Sequence, residues 1–146
     1  MNTKGMRLVS YARCSSDDQA EGDFTTIDVQ LDLNRERAES LRGQLIAEIS
    51  DKGRTGTNLN RPGWRKIIAM AESRAIDGVI VSYMSRLGRG DAYTVAEYLL
   101  KQHKVKVEMV QEKFTPDLAG RMQKRTKIFL DGMYADQVSE WTRTKQ

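Results

Sequence analysis

Apolar residues along this chain follow two periods, which alternate in a regular order. Four short segments rich in valine, isoleucine, leucine and methionine are typical of buried strands. These predicted strands are residues 6–14, 44–51, 77–84 and 104–111. Between them, apolar residues recur at helical spacing, and the predicted helices lie after Thr25 and over residues 63–74, 92–103 and 121–146. The pattern therefore predicts four repeats of a strand followed by a helix.

Local signals mark where the helices begin. Thr25, with Asp28 three residues later, forms a capping-box pattern ahead of the apolar positions Ile27 and Leu31. Pro62 suits the first turn of the second helix. The last segment, 121–146, contains no proline and a single glycine, which indicates one long helix.

The order of elements predicts an α/β fold with a central, mostly parallel sheet of four to five strands and helices on both faces. We expect residues 1–120 to form this α/β domain and residues 121–146 to form a long C-terminal helix. The loops that follow strands, 15–25, 52–61 and 85–91, should meet at one edge of such a sheet.

Composition excludes several classes of site. One cysteine, Cys14, and one histidine, His103, among 146 residues exclude a disulfide framework and a Cys/His metal site. His103 is far in sequence from the serines, which disfavours a Ser-His-Asp triad. No apolar run approaches the ~18 residues that span a membrane, and no signal peptide is visible, so we expect a cytoplasmic protein with no cofactor, no metal and no membrane partner. The net charge of +4 permits a polyanionic partner without requiring one.

The three convergent loops are rich in arginines and hydroxyls and poor in carboxylates. They contribute Arg13, Ser15, Ser16, Gln19, Arg54, Thr55, Arg61, Ser85, Arg86 and Arg89. Guanidinium groups bind phosphate oxygens in bidentate fashion and can stabilise the charge of a phosphoryl-transfer transition state. Two-metal chemistry would require paired acids, so the pattern predicts metal-free attack on a phosphodiester by a serine.

In order and content, these segments resemble the catalytic domain of serine recombinases, the resolvase/invertase family. "YARCSSDDQ" is similar to the family's Tyr-x-Arg-x-Ser motif. "IDVQ", "DKGRTGTNLNRPG" and "SRLGR" follow in the family's order, and the final helix ends in the family's Arg-Thr pair. The insert "AEGDFTT" and the ending "DGMYADQVSEWTRT" look more like the large serine integrases and transposases than the small resolvases.

The resemblance implies a site-specific DNA recombinase in which Ser15 attacks a backbone phosphate and forms a 5′-phosphoserine intermediate before strand exchange and religation. It implies that Arg13, Arg61, Arg86 and Arg89 are the active-site arginines. It further assigns supporting roles to Gln19, Gln30, Asp51 and Thr55, and a structural role to Tyr11.

Strand alternation favours Ser15 over Ser16 as the nucleophile. Ser15 lies two residues after Arg13, so both side chains project to the same side while the chain is extended. Ser16 and Cys14 then face the other way, and we expect the Cys14 thiol to be buried in the core.

Ser85 departs from the family pattern, because the family usually has an aspartate before Arg-Leu-x-Arg. The resemblance assigns that aspartate to proton handling or arginine orientation. Because Ser15 and the four arginines remain, we expect an active recombinase. The alternatives are a catalytically impaired DNA-binding or assembly relative and, less favoured, a phosphate-ester hydrolase that uses the same arginine cluster.

The terminal helix combines a broad apolar stripe with basic residues. The family uses this helix to form homodimers and the tetramer that assembles on DNA, and we expect the same of residues 121–146. The expected DNA-backbone contacts are Arg121, Lys124, Arg125 and Arg143. We expect sequence-specific DNA-binding domains to follow this segment in the complete protein.

Overall fold

The computed structural model describes residues 3–15, 25–53 and 59–144, with side chains described as far as Met133. Its strands are β1 (Arg7–Cys14), β2 (Gln44–Lys52), β3 (Gly78–Val81) and β4 (Lys106–Met109). Its helices are α1 (Ile27–Ser40), α2 (Pro62–Glu72), α3 (Met84–Leu87), α4 (Asp91–Gln102) and α5 (Leu118–Thr144). None of these described helices is long and apolar enough to cross a membrane.

The four described strands form one parallel sheet in the order β2-β1-β3-β4. Helices cover both faces of the sheet. Side chains alternate along β1 and therefore pack against different helices on the two faces. Val9 and Tyr11 pack with α2 and α4 in the larger core cluster, whereas Leu8 packs with Ala38 of α1 on the other face. The predicted α/β fold class is confirmed.

The residue that caps the amino end of α1 differs from the one predicted. The helix is capped by Thr26, whose Oγ1 accepts a hydrogen bond from Val29 N at 3.2 Å. The prediction of Thr25 as the cap is therefore wrong by one residue. A cap needs an extended backbone one residue before the helix, and Thr26 has that conformation, directly preceding Ile27.

Other boundaries also differ from those predicted, including β4, which was expected over residues 104–111 and spans Lys106–Met109. The strand predicted to reach residue 84 ends at Val81, and Met84–Leu87 form the short helix α3 where a loop was expected. Helix α5 begins at Leu118, before the predicted start at Arg121. Asp117 Oδ1 accepts a hydrogen bond from Gly120 N at 2.9 Å, so a carboxylate pairs with one main-chain amide of the first turn.

The Cys14 thiol is partly exposed, so it is not the buried core thiol that we predicted. Cys14 is the last residue of β1. Burial along β1 falls from complete to partial at this residue.

Candidate active site

The carboxyl end of β1 brings a cluster of buried polar residues together. Arg13 lies beside Asp51 in the register of β1 and β2, and Ser15 follows directly after β1. Arg61 lies at the start of α2, and Arg86 lies in α3. Arg13, Arg61 and Arg86 are completely buried, and Ser15 is 9% exposed. Arg13 contacts Ser15 directly, Arg86 contacts the main chain of Arg13, and Arg61 contacts Tyr11 of the same strand.

Arg13 is the residue in direct contact with the predicted nucleophile. Its Nη1 donates a hydrogen bond to Ser15 Oγ at 3.1 Å. Its Nε donates to Arg86 O at 3.1 Å, and its Nη2 donates to Ser85 O. One guanidinium therefore orients the serine hydroxyl and holds α3 against β1.

Gln30 fixes the backbone from which Arg13 projects. Gln30 Oε1 accepts from Arg13 N at 3.1 Å, and Gln30 Nε2 donates to Arg13 O at 3.0 Å. The pairing of β1 with β3 extends only to Ser10, three residues earlier. The completely buried side-chain amide of Gln30 therefore takes the place of a neighbouring strand.

Arg86 and Arg13 each donate a hydrogen bond to the main-chain carbonyl of the other. Arg86 Nη1 donates to Arg13 O at 3.1 Å, while Arg13 donates to Arg86 O. A carbonyl oxygen satisfies a guanidinium donor but does not cancel its charge. These bonds hold Arg13 and Arg86 in a buried position, and each arginine keeps its positive charge.

Arg61 belongs to a chain of hydrogen bonds that includes Tyr11 and Asp51. Arg61 Nη1 donates to Tyr11 Oη at 2.8 Å, and Tyr11 Oη donates to Asp51 Oδ2 at 2.7 Å. Burial raises the pKa of Tyr11, and the charge of Arg61 opposes this rise only in part. The phenol therefore stays protonated and links the arginine to the carboxylate.

Asp51 also holds the beginning of α2. Its Oδ1 accepts from Gly63 N at 2.8 Å, and its Oδ2 accepts from Trp64 N at 3.2 Å. An added Cβ at Gly63 would lie 2.6 Å from Asp51 Oδ2, so only glycine permits this approach. The carboxylate is 5% exposed and acts as the N-terminal cap that Arg61 itself does not provide.

The remaining predicted residues differ in how they are placed. Ser85 is buried in α3, and its carbonyl accepts from Arg13. Arg89 is 2% exposed and lines a cavity of about 450 Å³ together with Arg125 and Phe129. Gln19, Thr55, Ser16 and Arg54 lie outside the described residues.

The basic residues of α5 have different surroundings. Arg121 and Arg125 are exposed, whereas Lys124 Nζ forms an ion pair with Glu97 Oε2 of α4. The side chain of Arg143 lies outside the description. Among the residues that are described, no three His, Cys, Asp or Glu side chains cluster as metal ligands would.

Sequence reasoning missed one acid that reaches this region. Glu112 follows β4, and its Oε1 accepts from Met84 N, the first amide of α3. No spacing pattern links residues 84 and 112. The contact follows from the parallel pairing of β3 with β4, which places the residues after the two strands side by side.

Comparison with known proteins gives a consistent result. Residues 8–146 match the family model for the resolvase N-terminal domain. No curated protein matches the chain. The catalytic domain of ISC1926 TnpA, an IS607-like serine recombinase, is 28% identical with a TM-score of 0.62, over 82% of this chain and 77% of that one.

Two further solved structures share the fold. The N-terminal catalytic domain of TP901-1 integrase is 22% identical, with a TM-score of 0.65, over 96% of this chain and 98% of that one. A resolvase family site-specific recombinase from Streptococcus pneumoniae is 18% identical, with a TM-score of 0.61, over 96% of this chain and 92% of that one.

Proposed function

The chain belongs to the resolvase family of serine recombinases, whose N-terminal domain it matches over residues 8–146, and from this premise we propose that it cleaves and rejoins DNA through Ser15. The observation that carries the proposal is the hydrogen bond from Arg13 to Ser15 Oγ at the carboxyl end of β1. This hydrogen bond holds the Ser15 hydroxyl at the end of the sheet that also carries Arg61 at the start of α2 and Arg86 in α3.

The proposed reaction is a reversible phosphoryl transfer. Ser15 Oγ attacks a backbone phosphorus, its proton leaves, and the bond from phosphorus to the 3′-oxygen breaks. The 3′-oxygen takes up a proton, and the 5′-phosphate stays on the serine. After strand exchange, a 3′-hydroxyl attacks this ester and restores both the DNA bond and the serine.

Arg13, Arg61, Arg86 and Arg89 supply the proposed stabilisation of the transition state. Each of them is at most 2% exposed, in a region where water screens charge weakly. The guanidinium of Arg13 already lies within hydrogen-bond distance of the attacking atom. The proposed chemistry needs no metal, because fixed positive charge faces the phosphate. Gln30 and Asp51 serve it indirectly, by holding Arg13 and the Tyr11–Arg61 pair.

The α5 helix supports a proposal about assembly. Its exposed apolar residues form a long stripe: Leu118, Met122, Phe129, Leu130 and Met133 are each 46–65% exposed. Such a stripe is unfavourable in water, and a second copy of the chain would cover it in a homodimer, two of which assemble into a tetramer on DNA. We assign catalysis to residues 1–120, and oligomerisation with DNA-backbone contact by Arg121, Lys124, Arg125 and Arg143 to residues 121–146.

Ser85 supports a second candidate, a relative that binds DNA and assembles but cleaves poorly. Its hydroxyl stands where an acid would protonate the leaving oxygen or orient an arginine. Ser85 is 5% exposed, and the described contact of its main chain is with Arg13. A serine hydroxyl is too weak an acid to serve as a proton donor at neutral pH.

A covalent-adduct experiment tests both candidates. The protein, expressed at the length its gene encodes, is purified from cells under denaturing conditions, and any attached DNA is sequenced and used as the substrate. We expect an adduct that Ser15→Ala abolishes and the neighbouring control Ser16→Ala retains. Absence of an adduct in the wild-type protein, with its appearance in Ser85→Asp, would instead support the impaired relative.

A further inference from the structure

Helix α3 needs help from other elements to form. It has four residues, Met84–Leu87, fewer than an isolated helix requires. Its N-cap residue, Tyr83, makes no side-chain cap hydrogen bond, and no acid lies in its first turn. The helix nevertheless carries Arg86 and is completely or almost completely buried. Groups outside the helix must therefore form hydrogen bonds with the main-chain N–H and C=O groups at its ends.

Active-site arginines satisfy the carboxyl end. Arg13 donates to the carbonyl oxygens of Ser85 and Arg86, and Arg61 donates to Leu87 O at 2.7 Å. Three successive carbonyls thus point at two guanidinium groups. Positive charge is favourable at this end of a helix.

Glu112 satisfies the amino end. Its Oε1 accepts from Met84 N at 2.5 Å, so a carboxylate occupies the end of α3 where negative charge is favourable. The backbone delivers this side chain, because the chain after β4 continues beside the chain after β3. Gln111 N donates to Ser82 O at 3.0 Å, which places residue 112 next to the start of α3.

We propose that Glu112 is a positioning residue for the cleavage reaction, and that it acts by fixing α3 and hence Arg86 and the acceptors of Arg13. The inference rests on the proposed function for its kinetic consequence. A continuous series of contacts links Glu112 to the proposed nucleophile. Glu112 bonds Met84 N at the start of α3, the carbonyl oxygens of residues 85 and 86 in α3 bond Arg13, and Arg13 bonds Ser15 Oγ.

Two substitutions separate this role from general stability. Glu112→Ala removes the acceptor, whereas Glu112→Gln keeps a carbonyl oxygen at nearly the same position and removes the charge. Glu108→Ala is the matched control: Glu108 is a partly buried acid of β4 whose ion pair is with Arg37 of α1, away from α3.

The measurement is the single-turnover rate constant for adduct formation at saturating DNA, with the dissociation constant measured in parallel. Since a misplacement of about 1 Å can cost about 100-fold in rate, we expect Glu112→Ala to lower the rate constant about 100-fold with little change in the dissociation constant. We expect Glu112→Gln to recover most of the rate, and Glu108→Ala to react like the wild type. Equal rates for the two alanine variants would overturn the proposal.

A structural measurement keeps this proposal distinct from the proposed function. Hydrogen exchange of the Met84 amide should become faster in Glu112→Ala and stay slow in Glu108→Ala. If the wild-type protein gives no Ser15-dependent adduct, the proposed function fails, and this exchange rate alone decides whether Glu112 holds α3. Unchanged protection of Met84 in Glu112→Ala would refute the positioning role.

Discussion

Replacement of Asp51 by alanine should show how strongly the site and the fold depend on one carboxylate. Asp51 accepts from Gly63 N, Trp64 N and Tyr11 Oη, and it is 5% exposed. Each buried donor left without an acceptor costs about 1–3 kcal/mol. Water can enter the space that the side chain vacates, and the burial cost of the charge disappears. We therefore expect a net loss of about 3 kcal/mol in the free energy of unfolding.

Asp117→Ala is the matched control for this prediction. Asp117 also accepts an amide at the start of a helix, from Gly120 N at 2.9 Å, but it is exposed. Its removal should cost about 1 kcal/mol, the usual cost of losing an N-terminal cap. Asp117 also accepts from the Thr115 hydroxyl, so the difference between the two variants reports burial together with the additional main-chain contact at Asp51.

Asp51→Asn provides an intermediate case. Its amide keeps one acceptor oxygen and places an NH2 group where the second oxygen was. The Tyr11 hydroxyl can rotate and accept from that NH2, but Trp64 N loses its acceptor. We expect a loss of about 2 kcal/mol, since two buried donors, Trp64 N and the Tyr11 hydroxyl, rather than three lose their acceptor.

Urea unfolding followed by far-UV circular dichroism measures these differences, provided the dependence on urea concentration is the same in all variants. An Asp51→Ala variant no less stable than Asp117→Ala would refute the reasoning. It would mean that the three contacts at Asp51 contribute no more than one exposed cap.

Two further predictions concern the junction of α4 with α5. Gly90 has φ +56°, and an added Cβ would lie 2.8 Å from Gly132 Cα. We therefore expect Gly90→Ala to lower the free energy of unfolding by about 1–3 kcal/mol, measured by thermal unfolding. An unchanged melting temperature would contradict the close backbone approach. Burial favours a higher pKa for Glu97, but Lys124 and Tyr93 outweigh it and lower the pKa. The stability that this carboxylate contributes should be complete above its unfolded pKa of about 4.3 and be lost as pH falls through its lower folded pKa. Glu97→Gln should remove this dependence, and an unchanged acid transition would argue against the ion pair.

The parts of the site that could be predicted from sequence are those that follow from position along a strand. Ser15 and Arg13 share a side because strand residues alternate, and the described hydrogen bond between them agrees with that argument. The meeting of β1, β2 and the start of α2 follows from the parallel sheet. Local periodicity was sufficient for both, because neither depends on the details of a side-chain contact.

The parts that could not be predicted depend on the ends of elements. Helix α3 has four residues, too few to show a period, and its burial arises from contacts with residues more than 25 positions away. Tyr11 was assigned a structural role without a partner, and its hydroxyl joins Arg61 to Asp51. No sequence spacing specifies that a phenol, a guanidinium and a carboxylate will meet.

The structural role of the buried arginines and their proposed catalytic role make opposite demands on their donors. A guanidinium that donates to main-chain carbonyls is fixed in place, which suits a preorganised site. Each such bond also uses a donor that a phosphate would otherwise engage. Arg13 reconciles the two, because separate nitrogens serve the carbonyl of Arg86 and the hydroxyl of Ser15. A lysine at position 13 keeps the charge but has a single nitrogen, so it cannot hold α3 and orient Ser15 in the same geometry. The planar fork of arginine, more than its charge, is therefore what couples the fold of this site to its proposed chemistry.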